Sequence, residues 1–305
     1  MRRPLLVLCL LALPARTLMS QSFLATLQRA DSAENRGAHA EAVKLYEEAY
    51  GLSGFDPAGL GIAARSAARG KLFDVAIRDL NRAVDQGYLE PRMLADSAFN
   101  PVRKDARWIA LDAKLQRKLK AINQNLRAEL VSLGEQDQAN RSDFNALMKK
   151  VQQQSPEGKA AFKAFNSSDS AIQSRVKAII KQYGWPTRSL VADDGAHAAW
   201  LVVQHMQKED QELYLPKLLA AVKAGEAQAG EGAMLQDRVL ARNKKPQIYG
   251  TQLSVPPGGG DPKPDPIEKP ECVDQRRKTV GLEPLGFYLI RYGIVWKPEG
   301  KCALQ

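Results

Sequence analysis

The sequence predicts a mainly α-helical chain, with helical hairpins in its N-terminal third and a second helical region that contains a few short extended segments. Three observations predict it. Small and large apolar residues recur 34 positions apart near the N-terminus, stretches beyond residue 126 carry apolar residues at three- and four-residue spacing, and glycine and proline fall where those stretches end.

The chain starts with Arg2 and Arg3, followed by the uncharged run PLLVLCLLAL (4–13), then Pro14, Arg16 and the small residues Ser20 and Ser22. That order is the outline of a secretory signal peptide. The run is about half of the roughly 20 residues that a spanning helix needs, so export to the periplasm or beyond is expected, with residues 1–20 removed and no permanent membrane span. Cleavage near Ser20 or Ser22 takes away Arg2, Arg3 and Arg16 and no acid, lowering the formal charge from +10 to +7. The remaining Lys and Arg are spread among acids and lack interleaved aromatics, so nucleic acid is not an expected partner. Cys272 and Cys302 form an even pair in an oxidising compartment, and a disulfide between them is expected. No Cys-x-x-Cys or neighbouring His accompanies them, so no metal site and no cofactor are expected.

In the N-terminal third, Ala42, Tyr46 and Ala49 recur as Ala76, Leu80 and Ala83, and Ala30 recurs as Ala64. GAHAEAVKLYEEAY (37–50) and GKLFDVAIRDLNRAV (70–84) resemble second helices of tetratricopeptide repeats, in which small residues let helices approach and a larger one fills the groove. The family's usual Trp, Leu and Gly of the first helix are largely absent, and Gly70 sits one residue earlier than Gly37 in the repeat. The repeat-like domain is placed at 23–122, with MLADSAFNPVRKDARWIALDAKLQRKL, centred on Phe99 and Trp108, as its cap. The resemblance implies a surface for a protein or peptide partner. A scaffold that only holds the second domain is the alternative. His39 is expected to be a solvated turn residue.

The second domain is placed at 126–305. Leu130, Leu133, Phe144, Leu147 and Val151 mark one helix over 126–152, and Ile172, Val176, Ile179 and Ile180 another over 168–183, with Ser168 or Asp169 as its start and a short separate helix before it. GWPTRS (184–189) is a stop, because Gly184 ends a helix and Pro186 forbids its continuation. A helix over 195–209 puts His197, Leu201 and His205 on one face. Eight residues separate the histidines, roughly 12 Å at 1.5 Å per residue, too far for one metal ion. Further helices follow at 214–226 and 232–246, and Pro246 releases QIYGTQ as an extended segment. In a strand, Gln247, Tyr249 and Thr251 would share a face.

GWPT (184–187), Gln204-His205, YLPKLLAAV (214–222), DRV (237–239), PQIYGTQ (246–252), Arg276-Arg277 and GLEPL (281–285) together resemble a bacterial family classified only as a domain of unknown function. The resemblance implies no activity. It points to Gln204, His205, Asp237, Arg238, Gln247, Tyr249, Gly250, Thr251, Gln252, Arg276 and Arg277. One reading makes the chain a binding protein, its second domain holding a small polar or anionic ligand by Arg238, Arg276 or Arg277 and orienting it by Gln247, Tyr249 and Gln252. A second makes it a hydrolase or group-transfer enzyme with His205 as acid or base and Asp237 orienting it, although no nucleophile elbow, phosphate loop or metalloprotease helix is present. A third makes the cluster a polar network in which Asp237 pairs with an arginine and the glutamines satisfy buried backbone.

Overall fold

The computed structural model describes residues 26–53, 57–87, 94–256, 259–297, 300 and 302, and the expected signal segment lies outside the described residues. Four helices, α1 (26–35), α2 (His39–Ser53), α3 (Pro57–Arg69) and α4 (Phe73–Asp85), form two hairpins. Every residue of the 34-spaced pairs Ala30/Ala64, Ala42/Ala76, Tyr46/Leu80 and Ala49/Ala83 is buried. The two turns repeat as well. Ala38 N donates to Ala33 O and Leu72 N to Ala67 O, each at 2.8 Å.

The left-handed residue of these turns is Gly37 (φ 75°) in the first and Lys71 (φ 61°) in the second. Gly70 serves the packing instead. A Cβ there would stand 2.9 Å from His39 Cβ, so its missing side chain lets the hairpins close. His39 is not a free turn residue. It opens α2, and its Nδ1 donates to Glu34 at 2.9 Å. Glu34 also accepts from Ser66 and Arg69 of the next hairpin.

The cap follows as a 3-10 turn, Ser97–Val102, and α5 (Ala106–Ala121), started by the side chains of Asp96 and Asp105. Phe99 stacks on Trp108 with ring centroids 5.1 Å apart, in one core with Ile77, Leu80, Leu111 and Leu115.

The second core is built by α6 (Gln124–Met148), α7 (Pro156–Tyr183), α8 (Arg188–Val203), α9 (Lys208–Lys223) and α10 (Ala229–Arg242) around Leu130, Val176, Ile179, Trp200, Leu218 and Leu235. Helix α7 is continuous where a break at Ser168 or Asp169 was expected. Its start is capped by Ser155, whose Oγ accepts from Gly158 N at 3.0 Å, with Pro156 in the first turn. Asp169 caps nothing, because its carboxylate is held by Arg141 and Gln173. Helix α8 starts before the expected Gly195 and stops at Val203, before Glu209, leaving Gln204 and His205 beyond its last full turn. Gln207 then turns extended (φ −64°, ψ 160°) and α9 begins.

Contacts among the described residues join the two halves of the chain. Ala192, at φ 60° and ψ 178° within α8, is wholly buried among Phe99, Trp108 and Leu115 of the N-terminal core. Phe287, of the later helix α12 (Leu285–Ile290), packs on Ala49 of α2. Between α10 and α12, β1 (Leu253–Ser254) pairs antiparallel with β2 (Lys263–Pro264), and a short helix α11 (Val273–Thr279) follows. The Cys272–Cys302 disulfide is formed, with Cα atoms 4.7 Å apart. No helix among the described residues is long and apolar enough to cross a membrane.

Candidate functional site

The residues after α10 form a fastened loop and not a strand. Asp237 is wholly buried, and its carboxylate accepts from Ile248 N at 2.8 Å, Tyr249 N at 3.1 Å, Thr251 N at 3.0 Å and Thr251 Oγ1 at 3.1 Å. One side chain from within α10 thereby satisfies three backbone donors of residues 248–251, which have no ladder of their own. Gln247 does the same from within the loop. Its Nε2 donates to Gln252 O at 3.0 Å and Asp265 O at 2.9 Å, and its Oε1 accepts from Gln252 N at 2.6 Å. The Gln252 side chain donates to Thr251 Oγ1 at 3.0 Å. Gly250 takes φ 70°, and a Cβ there would come within 2.8 Å of Ile267.

The two arginines of α11 reach the loop across the Pro- and Gly-rich segment. Arg276 Nε donates to Ile248 O at 2.7 Å, and Arg277 Nη1 donates to Tyr249 O at 2.7 Å while its Nε donates to Glu283 O at 2.5 Å. Arg277 is 1% exposed and lies against the Tyr288 ring, and burial lowers its pKa despite the nearby Glu283 and Asp274. Burial is also the main reason that the Tyr249 hydroxyl is raised. Asp237, Gln247, Thr251, Gln252, Arg276 and Arg277 therefore hold one another and the loop backbone.

His205 belongs to a different constellation. Its Nδ1 donates to Asp137 of α6 at 2.8 Å, so the carboxylate that orients it is Asp137, while Asp237 spends both oxygens on the loop. Asp137 is wholly buried and also accepts from Arg141, with Nη2 at 3.0 Å. Burial raises its pKa, but the bonds from His205 and Arg141 outweigh that and hold the carboxyl below its usual range. Arg141 bridges on to Asp169 of α7 at 2.5 Å, and Asp169 in turn accepts from Gln173 at 2.7 Å. Burial and the Asp137 charge raise Asp169. With Nδ1 committed, His205 Nε2 has no hydrogen-bond partner among the described residues, and the side chain stays 20% exposed.

The chain on either side of His205 draws two more arginines. Arg238 Nη1 donates to Gln204 O at 3.3 Å and Arg242 Nη1 donates to Met206 O at 3.0 Å, from adjacent turns of α10. Gln211 Nε2 also donates to Gln204 O, at 2.6 Å, so Gln204 takes part through its carbonyl. Among the described residues no carboxylate pairs with Arg238, and its Nε is buried without a partner. Burial, then Arg242, lower its pKa, with Arg141 adding to the same effect, while Tyr288 opposes them. The Tyr288 hydroxyl donates to Thr251 O at 2.9 Å and joins this region to the fastened loop.

His197 stands apart from His205 and donates from Nδ1 to Glu231 at 2.7 Å. Among the described residues, no group of three or more His, Cys, Asp or Glu could hold a metal ion. The sequence reading missed Asp137, Arg141, Asp169 and Gln173. A signal for them existed: Asp137 and Arg141 continue the buried stripe of Leu130 and Leu133, and Asp169 and Gln173 continue that of Val176 and Ile180, so charge stands where apolar residues are due.

The model of the family of unknown function DUF6624 matches residues 124–294, more than half of the chain, and spans every element of both constellations. No curated protein and no solved structure matches the chain. From α6 to the residues that follow α12, the chain belongs to the family of unknown function DUF6624.

Proposed function

We propose that the protein is an exported binding protein whose family domain holds a small anionic group, a carboxylate or a phosphate, against Arg238, Arg242 and His205. One observation carries this reading: the Arg238 guanidinium is drawn into the domain, meets no carboxylate among the described residues, and keeps a buried Nε without a partner. A desolvated cation is costly unless it is paired, and an anion bound in two places by a planar guanidinium removes that cost. The polar cluster at Asp237 and Gln247 then acts as the brace that positions α10, and the ligand role moves from Arg276 and Arg277 to Arg238 and Arg242.

The hairpins are read as a tetratricopeptide-like domain over 23–122, followed by the second domain over 126–305. Ala192 and Phe287, seated on N-terminal residues, support a scaffold role for part of the hairpin surface. The Cys272–Cys302 bridge supports export, because such bonds persist in oxidising compartments.

A hydrolase or group-transfer reaction is the second reading, and Asp137–His205 favours it. A buried carboxylate on Nδ1 fixes the tautomer that leaves Nε2 as a base. Thermal unfolding in rising phosphate, sulfate and citrate tests the binding reading, with a tetraalkylammonium salt as control. Such anions stabilise folded proteins in general by exclusion from their surface, so both melting temperatures are expected to rise, that of the wild type more steeply than that of Arg238→Met. Equal rises in both proteins overturn the assignment of Arg238.

A further inference from the structure

We propose a second ligand site, between the C-terminal half of α7 and α9, that takes a free acyl carboxylate: an alkyl chain with one anionic head. Helices α7 and α9 leave a groove of about 460 Å³ between them. Ile180, Leu213 and Tyr214 line it together with three lysines, Lys177, Lys181 and Lys217. Of these, Lys177 is paired, to Asp210 at 2.5 Å. Lys181 and Lys217 are exposed and have no carboxylate among the described residues. Leu213 is 59% exposed, beside the buried Tyr214 on α9. The Tyr214 hydroxyl makes no hydrogen bond among the described residues, and burial, then Asp210, raise its pKa and keep it a donor.

Inorganic anions suit this groove poorly, because they leave the exposed Leu213 in its lining uncovered. Cationic and neutral amphiphiles suit it poorly too, because the unneutralised charge of its lining, on Lys181 and Lys217, is positive. A chain laid over Leu213 covers apolar surface, while its head meets Lys181, Lys217 and the Tyr214 hydroxyl. The lysine stems extend the hydrocarbon wall up to their charged tips. Each covered methylene is worth up to about fourfold in affinity. The site is independent of Arg238, which lies on α10.

The test is calorimetric titration of the full chain with hexanoate, octanoate and decanoate below micelle formation, and with decyltrimethylammonium. Affinity is expected to rise at least twofold per added methylene, and the cationic amphiphile is expected not to bind. Lys181→Gln with Lys217→Gln should weaken decanoate at least tenfold, and Leu213→Asp should abolish the rise of affinity with chain length. Thermal unfolding of each variant checks that these exposed substitutions leave the fold intact. The proposal is overturned by no binding at millimolar decanoate, by chain-length independence, by equal binding of the cation, or by an unchanged affinity in the double-lysine variant. Binding of anionic vesicles or an acidic peptide without binding of free decanoate also overturns it.

Discussion

Replacing Asp237 with alanine should destabilise the protein by about 3–5 kcal/mol while leaving the His205 pair in place. The magnitude follows from what the carboxylate holds: three backbone N–H groups and one hydroxyl, all within 3.1 Å and all from residues 248–251. A hydrogen bond to a charged acceptor contributes about 1.5–3 kcal/mol, and a buried donor left unpaired costs about 1–3 kcal/mol. The four bonds do not add fully, because water reaches part of a loosened loop. The net loss therefore falls below their sum, yet in the range that marks a broken buried network. Asp237→Asn should cost somewhat less, since it keeps one acceptor oxygen while turning an amide donor toward the loop's own donors. Urea unfolding at neutral pH, followed by far-ultraviolet circular dichroism, gives both values. A loss under 1 kcal/mol for Asp237→Ala would refute the brace, and such a loss together with abolished anion binding would return Asp237 to the ligand site.

Lys71→Gly should stabilise the N-terminal hairpins by about 0.5–1 kcal/mol, because Lys71 holds φ 61° where its repeat partner Gly37 holds φ 75°. Thermal unfolding checks this, and a destabilised variant would contradict it. Burial, against the opposing bond from Arg188, pushes the Asp193 carboxyl up to about 6 from 3.8 and leaves its Oδ2 unpartnered. The folded pKa therefore lies above the unfolded one, so the native state holds the proton more tightly. Stability should be greatest below about pH 4, fall by at most about 3 kcal/mol towards pH 6, and level off above it. Asp193→Asn should flatten that part of a pH–stability curve, and an unchanged slope would count against it. Cys302→Ser removes a cross-link between residues 30 apart and should cost about 3–4 kcal/mol by the chain-entropy relation. Urea midpoints with and without reductant measure it, and the variant should no longer respond to reductant.

The repeat positions were legible because alanine at 34-residue spacing has one packing use, and all of them are buried. The disulfide was legible from the parity of the cysteines and the expected compartment. Helix limits were less so. The sequence around Asp169 looks like a cap, but capping competes with a tertiary partner, and Arg141 on α6 takes that carboxylate. The residues around PQIYGTQ were found, and their relation was not. Donors and acceptors close in sequence read as a ligand site, whereas a buried loop without a ladder needs those same groups for its own backbone. The partner of His205 stood 68 residues away on α6, a separation that no local motif spans. Lys71 inverts a familiar rule: the glycine was retained for contact with His39, and the left-handed turn fell to its neighbour.

The anion site at Arg238 is tested most directly by locating an anomalous scatterer. Crystals soaked in selenate should show a selenium peak within hydrogen-bonding reach of the Arg238 guanidinium and on the Nε2 side of His205, and Arg238→Met crystals should lack it. Peaks confined to surface lysines, or a peak that survives Arg238→Met, would contradict the account.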